Sequence, residues 1–145
     1  MTHTDRKRPM SESHESSFPW GTLSSRDGYL LVRLHSLPSE EVAQDALRRI
    51  DAALVVSGLR RVMLDSQDLP APIDAINRMY WDWAEAGKHH DRLAILVHSD
   101  MKRVQGNMSA VAKRIQLRSF HSQDEAEQWL NTRDRASSRR RETTG

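Results

Sequence analysis

Residues 61–76 read RVMLDSQDLPAPIDAI, and three kinds of local structure follow one another in that stretch. Val62, Met63 and Leu64 are consecutive apolar residues ending at Asp65, the signature of a short strand covered on both faces. Ser66 to Leu69 is polar loop, and Pro70-Ala71-Pro72 bars any helix from starting before it. Beyond the prolines an amphipathic helix begins. A buried strand, a polar loop and a helix in that order describe one crossover of an open α/β sheet, where sites form just past the carboxyl ends of the strands. Residues 65–74 are therefore the expected working edge of the protein.

The same alternation extends in both directions. Upstream, Trp20–Ser24 reads as a short edge strand and Tyr29–His35 as a second, joined through Arg26-Asp27-Gly28 as a hairpin. Ser39 is an N-cap with Glu40 and Glu41 in the first turn, and Val42, Ala43, Ala46, Leu47, Ile50, Ala53 and Leu54 mark the buried face of a helix ending at Gly58. The helix after the prolines runs to about Ala86, its core face holding Ile73, Ile76, Tyr80, Trp83, Ala84 and Gly87. Trp81 falls roughly 120° from the centre of that face at 100° per residue.

Downstream, Arg92–His98 is a further central strand. A helix capped by Ser99 or Asp100 runs to about Arg114, with Met101, Val104, Met108 and Val111 on its inner side. Gly106 weakens it by about 1 kcal/mol relative to Ala, which suggests local mobility. Ile115–Phe120 is a strand, and Ser122 to Glu125 form a capping box for a last helix that turns Ala126, Trp129 and Leu130 inward. The expected fold class is α/β: a mixed sheet of about five strands with about four helices packed against it.

Composition sets outer bounds. A chain of 145 residues that is 37% hydrophobic supports one core, placed at 17–132 between a polar tail at 1–16 and a basic tail at 133–145. There is no cysteine, which excludes disulfides, thiolate metal sites and cysteine nucleophiles. The N-terminus lacks an apolar h-region, and no window reaches the roughly 18 apolar residues that span a bilayer, so the expected location is the cytoplasm. The net charge of +2 comes from the last thirteen residues, where five arginines face two acidic groups. The domain itself carries no overall basic footprint for nucleic acid.

Four segments resemble a known family. GYLLVRLHSLPSEE (28–41), RRVMLDSQDL (60–69), RLAILVHSD (92–100) and IQLRSFHSQDEAEQWL (115–130) are similar to STAS-type, anti-sigma-factor-antagonist-like domains of the SpoIIAA-like fold, nearest the small bacterial STAS/SEC14-like branch. The resemblance covers residues 20–131. It implies a non-enzymatic module that docks a protein partner in a bacterial regulatory or assembly system. From the SEC14-like side, it implies as an alternative a carrier of a small ligand or lipid. Family members that act as phospho-switches carry Asp-Ser-Ser-Gly at the start of the second helix. Here Asp74, Ala75, Ile76 and Asn77 stand at about that place, without the acceptor hydroxyl, and Ser66 is the nearest substitute beside its ordinary reading as a turn-forming serine.

The candidate partner surface is thus Asp65, Ser66, Asp68, Asp74, Tyr80 and Trp81. The three aspartates could form an acidic rim or a hard-cation site, but loop and cap chemistry accounts for them, and no metal site is expected. His89-His90-Asp91 has no third ligand at useful spacing and reads as a solvated connection. His98 sits at the same sheet edge as Asp65 without a nucleophile or oriented carboxylate beside it, so no catalytic residue is assigned. No phosphate-loop, dinucleotide, nucleophile-elbow or zinc-protease motif is present, and no cofactor is called for. Arg133, Arg135, Arg139, Arg140 and Arg141 could touch nucleic acid or anionic lipid through screened charge. The edge strand near Trp20 or a helical face leaves homodimerisation open.

Overall fold

The computed structural model describes residues 15–132; the two tails read from the sequence lie outside them, except for Glu15 and Ser16. Six strands and four helices alternate: β1 (Glu15–Phe18), β2 (Gly21–Arg26), β3 (Tyr29–Leu34), α1 (Glu40–Ser57), β4 (Arg61–Asp65), α2 (Asp74–Ala86), β5 (Arg92–Leu96), α3 (Asp100–Lys113), β6 (Leu117–Phe120) and α4 (Gln123–Asn131). They form one mixed sheet in the order β1-β2-β3-β4-β5-β6. β1, β2 and β3 pair antiparallel, and β3 through β6 pair parallel.

The additional strand is β1. Its sequence, ESSF, has no apolar alternation, yet Glu15 and Ser16 pair with Ser24 and Leu23. Phe18 stacks on Trp20 at 4.9 Å and lies under the Arg49 guanidinium. Consequently β2 is an interior strand, and Trp20, in the β1–β2 turn, is buried. Among the described residues the free edges are β1, which ends two residues before Trp20, and β6.

Because the parallel strands are laid down in monotonic order, right-handed crossovers put their three helices on one face. The core divides accordingly. On that face Leu30, Val32, Val62, Leu64, Leu93 and Leu117 meet Ala46, Leu47, Ile50 and Leu54 of α1, Ala84 of α2 and Ala110 of α3. On the other, Tyr29, Leu31, Met63, Ala94 and Leu96 are covered by Ala126 and Leu130 of α4. Val62, Met63 and Leu64 thus serve both layers in alternation, as period-two geometry requires.

The helix starts follow their caps. Ser39, Ser99 and Ser122 accept the amides of Val42, Lys102 and Glu125, whereas α2 begins at Ile73 with no side-chain cap. Ile73 is 60% exposed and outside the core face expected for it; the double proline swings the entry of α2 away from the sheet before the helix begins. The larger difference is in α3. Val104, Met108 and Val111, read as its inner side, point outward, and the contact with the sheet is made by Gly106, Asn107 and Ala110 instead. A Cβ on Gly106 would lie 2.7 Å from Ser119 Oγ. Glycine here permits close approach of helix and strand, a reason for its presence that the helix-propensity cost does not convey.

Candidate functional site

A monotonic strand order has no switch point where crossovers diverge, so an opening must come from the helices themselves. It does. α2 leans on α1: Trp83 Nε1 donates to Asp51 Oδ1 at 3.0 Å, and the Tyr80 hydroxyl donates to the Ala43 carbonyl at 3.3 Å. The Gly106 contact draws α3 down onto β6. Between α2 and α3, over the face of the sheet from the carboxyl ends of β3 and β4 along β5 and β6, a cavity of about 380 Å³ remains.

Its depth is apolar, with Leu34, Leu64, Ile76, Leu93, Ile95 and Leu117, all but Ile95 buried. The polar groups are Ser66, Asn77, Ser109 and Ser119, with exposed His98, Lys102 and Gln105 at the rim. Such a lining, with sparse hydrogen-bonding groups on an apolar floor, is what orients small ligands in pockets of roughly 300–1,000 Å³.

The six residues expected to form one docking surface divide between this cavity and the loop beside it. Ser66, Tyr80 and Trp81 line the cavity. Ser66 Oγ donates to the Leu96 carbonyl at 2.9 Å, tying the end of β4 to β5. Burial pushes the Tyr80 phenol far above its ordinary range. Trp81 is half-buried; its position off the centre of the α2 core face turns it toward the cavity. Asp65 is held by Arg33, its direct neighbour in the parallel ladder, at 3.5 Å, and accepts the Gln67 amide at 3.1 Å. Asp68, on the loop, and Asp74, in the first turn of α2, are both exposed.

Sequence reasoning picked out His98, and it lies at the rim. It missed Leu37, Leu69, Asn77, Lys102 and Ser109, whose helical or loop positions carry no spacing signal. The His89-His90-Asp91 segment differs from its expectation as a solvated connection. His90 is buried, packs on Trp83 at 4.5 Å between ring centres, and places Nε2 3.3 Å from the Ala84 carbonyl. Desolvation by burial lowers its pKa. Asp91 receives two hydrogen bonds from Arg60, at 2.9 and 2.8 Å, which hold its carboxyl below the usual range. Among the described residues no group of three or more His, Cys, Asp or Glu side chains could hold a metal ion, and no helix is long and apolar enough to cross a membrane.

No protein-family model matches the chain, and no curated protein does. Among solved structures it is similar to an uncharacterized protein of the DUF3478 family with a SpoIIAA-like fold from Shewanella loihica PV-4, at TM-score 0.54 and 14% identity, over 82% of this chain and 92% of that one. The mixed sheet, the helices on its two faces and that likeness together give one conclusion: this chain has a SpoIIAA-like fold.

Proposed function

We propose that the domain is a non-enzymatic, cytoplasmic binding module whose ligand is a small apolar or amphipathic molecule held between α2 and α3. The observation that carries the reading is the cavity itself, about 380 Å³ with an apolar floor and Lys102, His98 and Asn77 near its opening. Burial of the ligand's apolar part supplies affinity at about 25 cal/mol per Å², and the rim groups select which polar end is tolerated. Native mass spectrometry of freshly purified protein tests this directly, with a co-purifying lipid or metabolite expected. In parallel, a fluorescent apolar probe such as anilinonaphthalene sulfonate should bind the purified protein and lose at least tenfold in affinity on Ser109→Phe, which fills the opening. Absence of any adduct together with unchanged probe binding in that variant would refute the reading.

A second reading, docking of a protein partner through the loop at 65–74 and α2, is favoured by one observation. Ile73, 60% exposed, is followed directly by exposed Asp74, an apolar anchor with an acidic neighbour. Ile73→Ser with Asp74→Lys should then abolish capture of that partner in pull-downs while leaving probe binding in the cavity intact. Unchanged capture would exclude this surface.

A further inference from the structure

Charge is unevenly placed within the domain in a way its near-neutral total conceals. From Met101 to Gln123 the chain carries Lys102, Arg103, Lys113, Arg114 and Arg118 and no acidic residue, although 29% of the whole chain is charged. Lys102, Lys113, Arg114 and Arg118 are exposed. The same segment bares the apolar side chains that helix periodicity would bury: Val104 is 45%, Met108 67% and Val111 78% exposed. Spaced four and three residues apart, they make one stripe along α3. It cannot rotate inward, because Gly106 and Ala110 are already packed against β6 and Asn107 Oδ1 accepts the Ser119 amide at 2.7 Å.

Three occupants can be compared on chemistry. A second copy meeting this stripe about a two-fold axis would bury too little, since three side chains fall far short of the roughly 800 Å² per partner of a stable interface. A nucleic acid would satisfy the charge and leave two valines and a methionine against water. An anionic bilayer surface satisfies both, since a helix lying in the interface buries apolar side chains at the acyl boundary while Lys and Arg meet lipid phosphates. We propose that α3 docks this domain on anionic membranes, with Val104, Met108 and Val111 entering the interface and Lys113 and Arg114, exposed where the helix ends, engaging the headgroups.

The proposal stands apart from what the cavity holds, and its test is separate. The full-length protein is mixed with vesicles of phosphatidylcholine alone or of phosphatidylcholine with phosphatidylglycerol and separated by flotation. Binding to the anionic vesicles, weakened by salt, is expected. Each Lys or Arg near such a surface contributes about fivefold in partitioning, so Lys113→Ser with Arg114→Gly should lower it about 25-fold; glycine suits the left-handed backbone at position 114, where φ is 57°. Met108→Ser with Val111→Ser should lower it about tenfold or more, and circular dichroism should show both variants folded, since every replaced side chain is exposed. Equal binding to the two vesicle types would overturn the proposal. So would binding that survives Met108→Ser with Val111→Ser but is lost on replacing Arg139, Arg140 and Arg141, or a dimer abolished by the serine substitutions in a protein that ignores vesicles.

Discussion

Gly106→Ala should destabilise the protein in its natural background and stabilise it when Ser119 is also alanine. In a helix interior the change from glycine to alanine is worth about 1 kcal/mol of stability through backbone entropy alone. Against that, the new methyl carbon would stand 2.7 Å from Ser119 Oγ while clearing Ser119 Cβ at 3.7 Å. Relief requires either a poorer rotamer of a buried serine, about 0.5–1.5 kcal/mol, or a displacement of α3 from β6, an overpacking cost of about 1–3 kcal/mol. The overpacking route would also strain the 2.7 Å bond between Asn107 and the Ser119 amide. The single substitution should therefore change stability by between about 0 and −2 kcal/mol. With Ser119→Ala the obstructing oxygen is gone, and the same substitution should add about 1 kcal/mol. The coupling across the pair is then about 1–3 kcal/mol, well within reach of a double-mutant cycle. Urea unfolding followed by far-ultraviolet circular dichroism gives the four midpoints and slopes. If Gly106→Ala stabilises by the same amount in both backgrounds, α3 does not lie on β6 as described, and the wall of the cavity that it forms is misplaced with it.

Stability should fall as pH drops from about 7 to 5 on account of His90. Its folded-state pKa is lowered by burial, so the native state binds fewer protons than the unfolded chain, whose histidine titrates near 6.5, and acid drives unfolding. His90→Phe should flatten that part of a chemical-denaturation pH profile, and an unchanged slope would refute the assignment. The chain has two tyrosines, and both resist ionisation: desolvation by burial, with the hydrogen bond to Glu127, pushes Tyr29 up to about 12, and burial pushes Tyr80 higher. Phenolate absorbance should stay low at pH 10–11 in the native protein and rise in urea near pH 10; stability should correspondingly drop as pH climbs past 10. Trp83→Phe should cost about 1–2 kcal/mol in urea unfolding by leaving Asp51 without its indole donor at 3.0 Å, and a neutral effect would mean that solvent replaces that bond.

Most of the fold could be read from the chain because its local signals agree with one another. The Val62-Met63-Leu64 run, the serine caps and the glycine stop at Gly58 each act within a few residues, and right-handed crossovers turn their order into a sheet. The failures are equally instructive. β1 has no periodicity to detect, since what holds ESSF is pairing with β2 and the aromatic stack of Phe18 on Trp20. The wheel of α3 was misjudged because an apolar stripe ordinarily faces inward, whereas small residues at 106 and 110 gain more by close approach to an edge strand. The cavity was invisible for a simpler reason: its walls come from the ends of four strands and from two helices that no short-range pattern relates. Of residues 65–74 only Ser66, Leu69 and Pro72 line the cavity, because which side chains face inward is decided by how α2 leans on α1.

The carboxyl end of α4 contains no basic residue in its last turn, and its terminal carbonyls are instead met from below. The Arg61 guanidinium donates to the Leu130 carbonyl, while that of Arg92 donates to the carbonyls of Trp129 and Thr132, at 2.9 and 2.8 Å. Nine residues are too few to hold a helix alone in water, and these two clamps belong to β4 and β5, both synthesised earlier. The cover that α4 gives Met63, Ala94 and Leu96 thus depends on a receptor already assembled beneath it. Until that piece emerges and snaps into place, a newly made chain has one greasy side of its sheet open to whatever chaperone or sticky neighbour reaches it first.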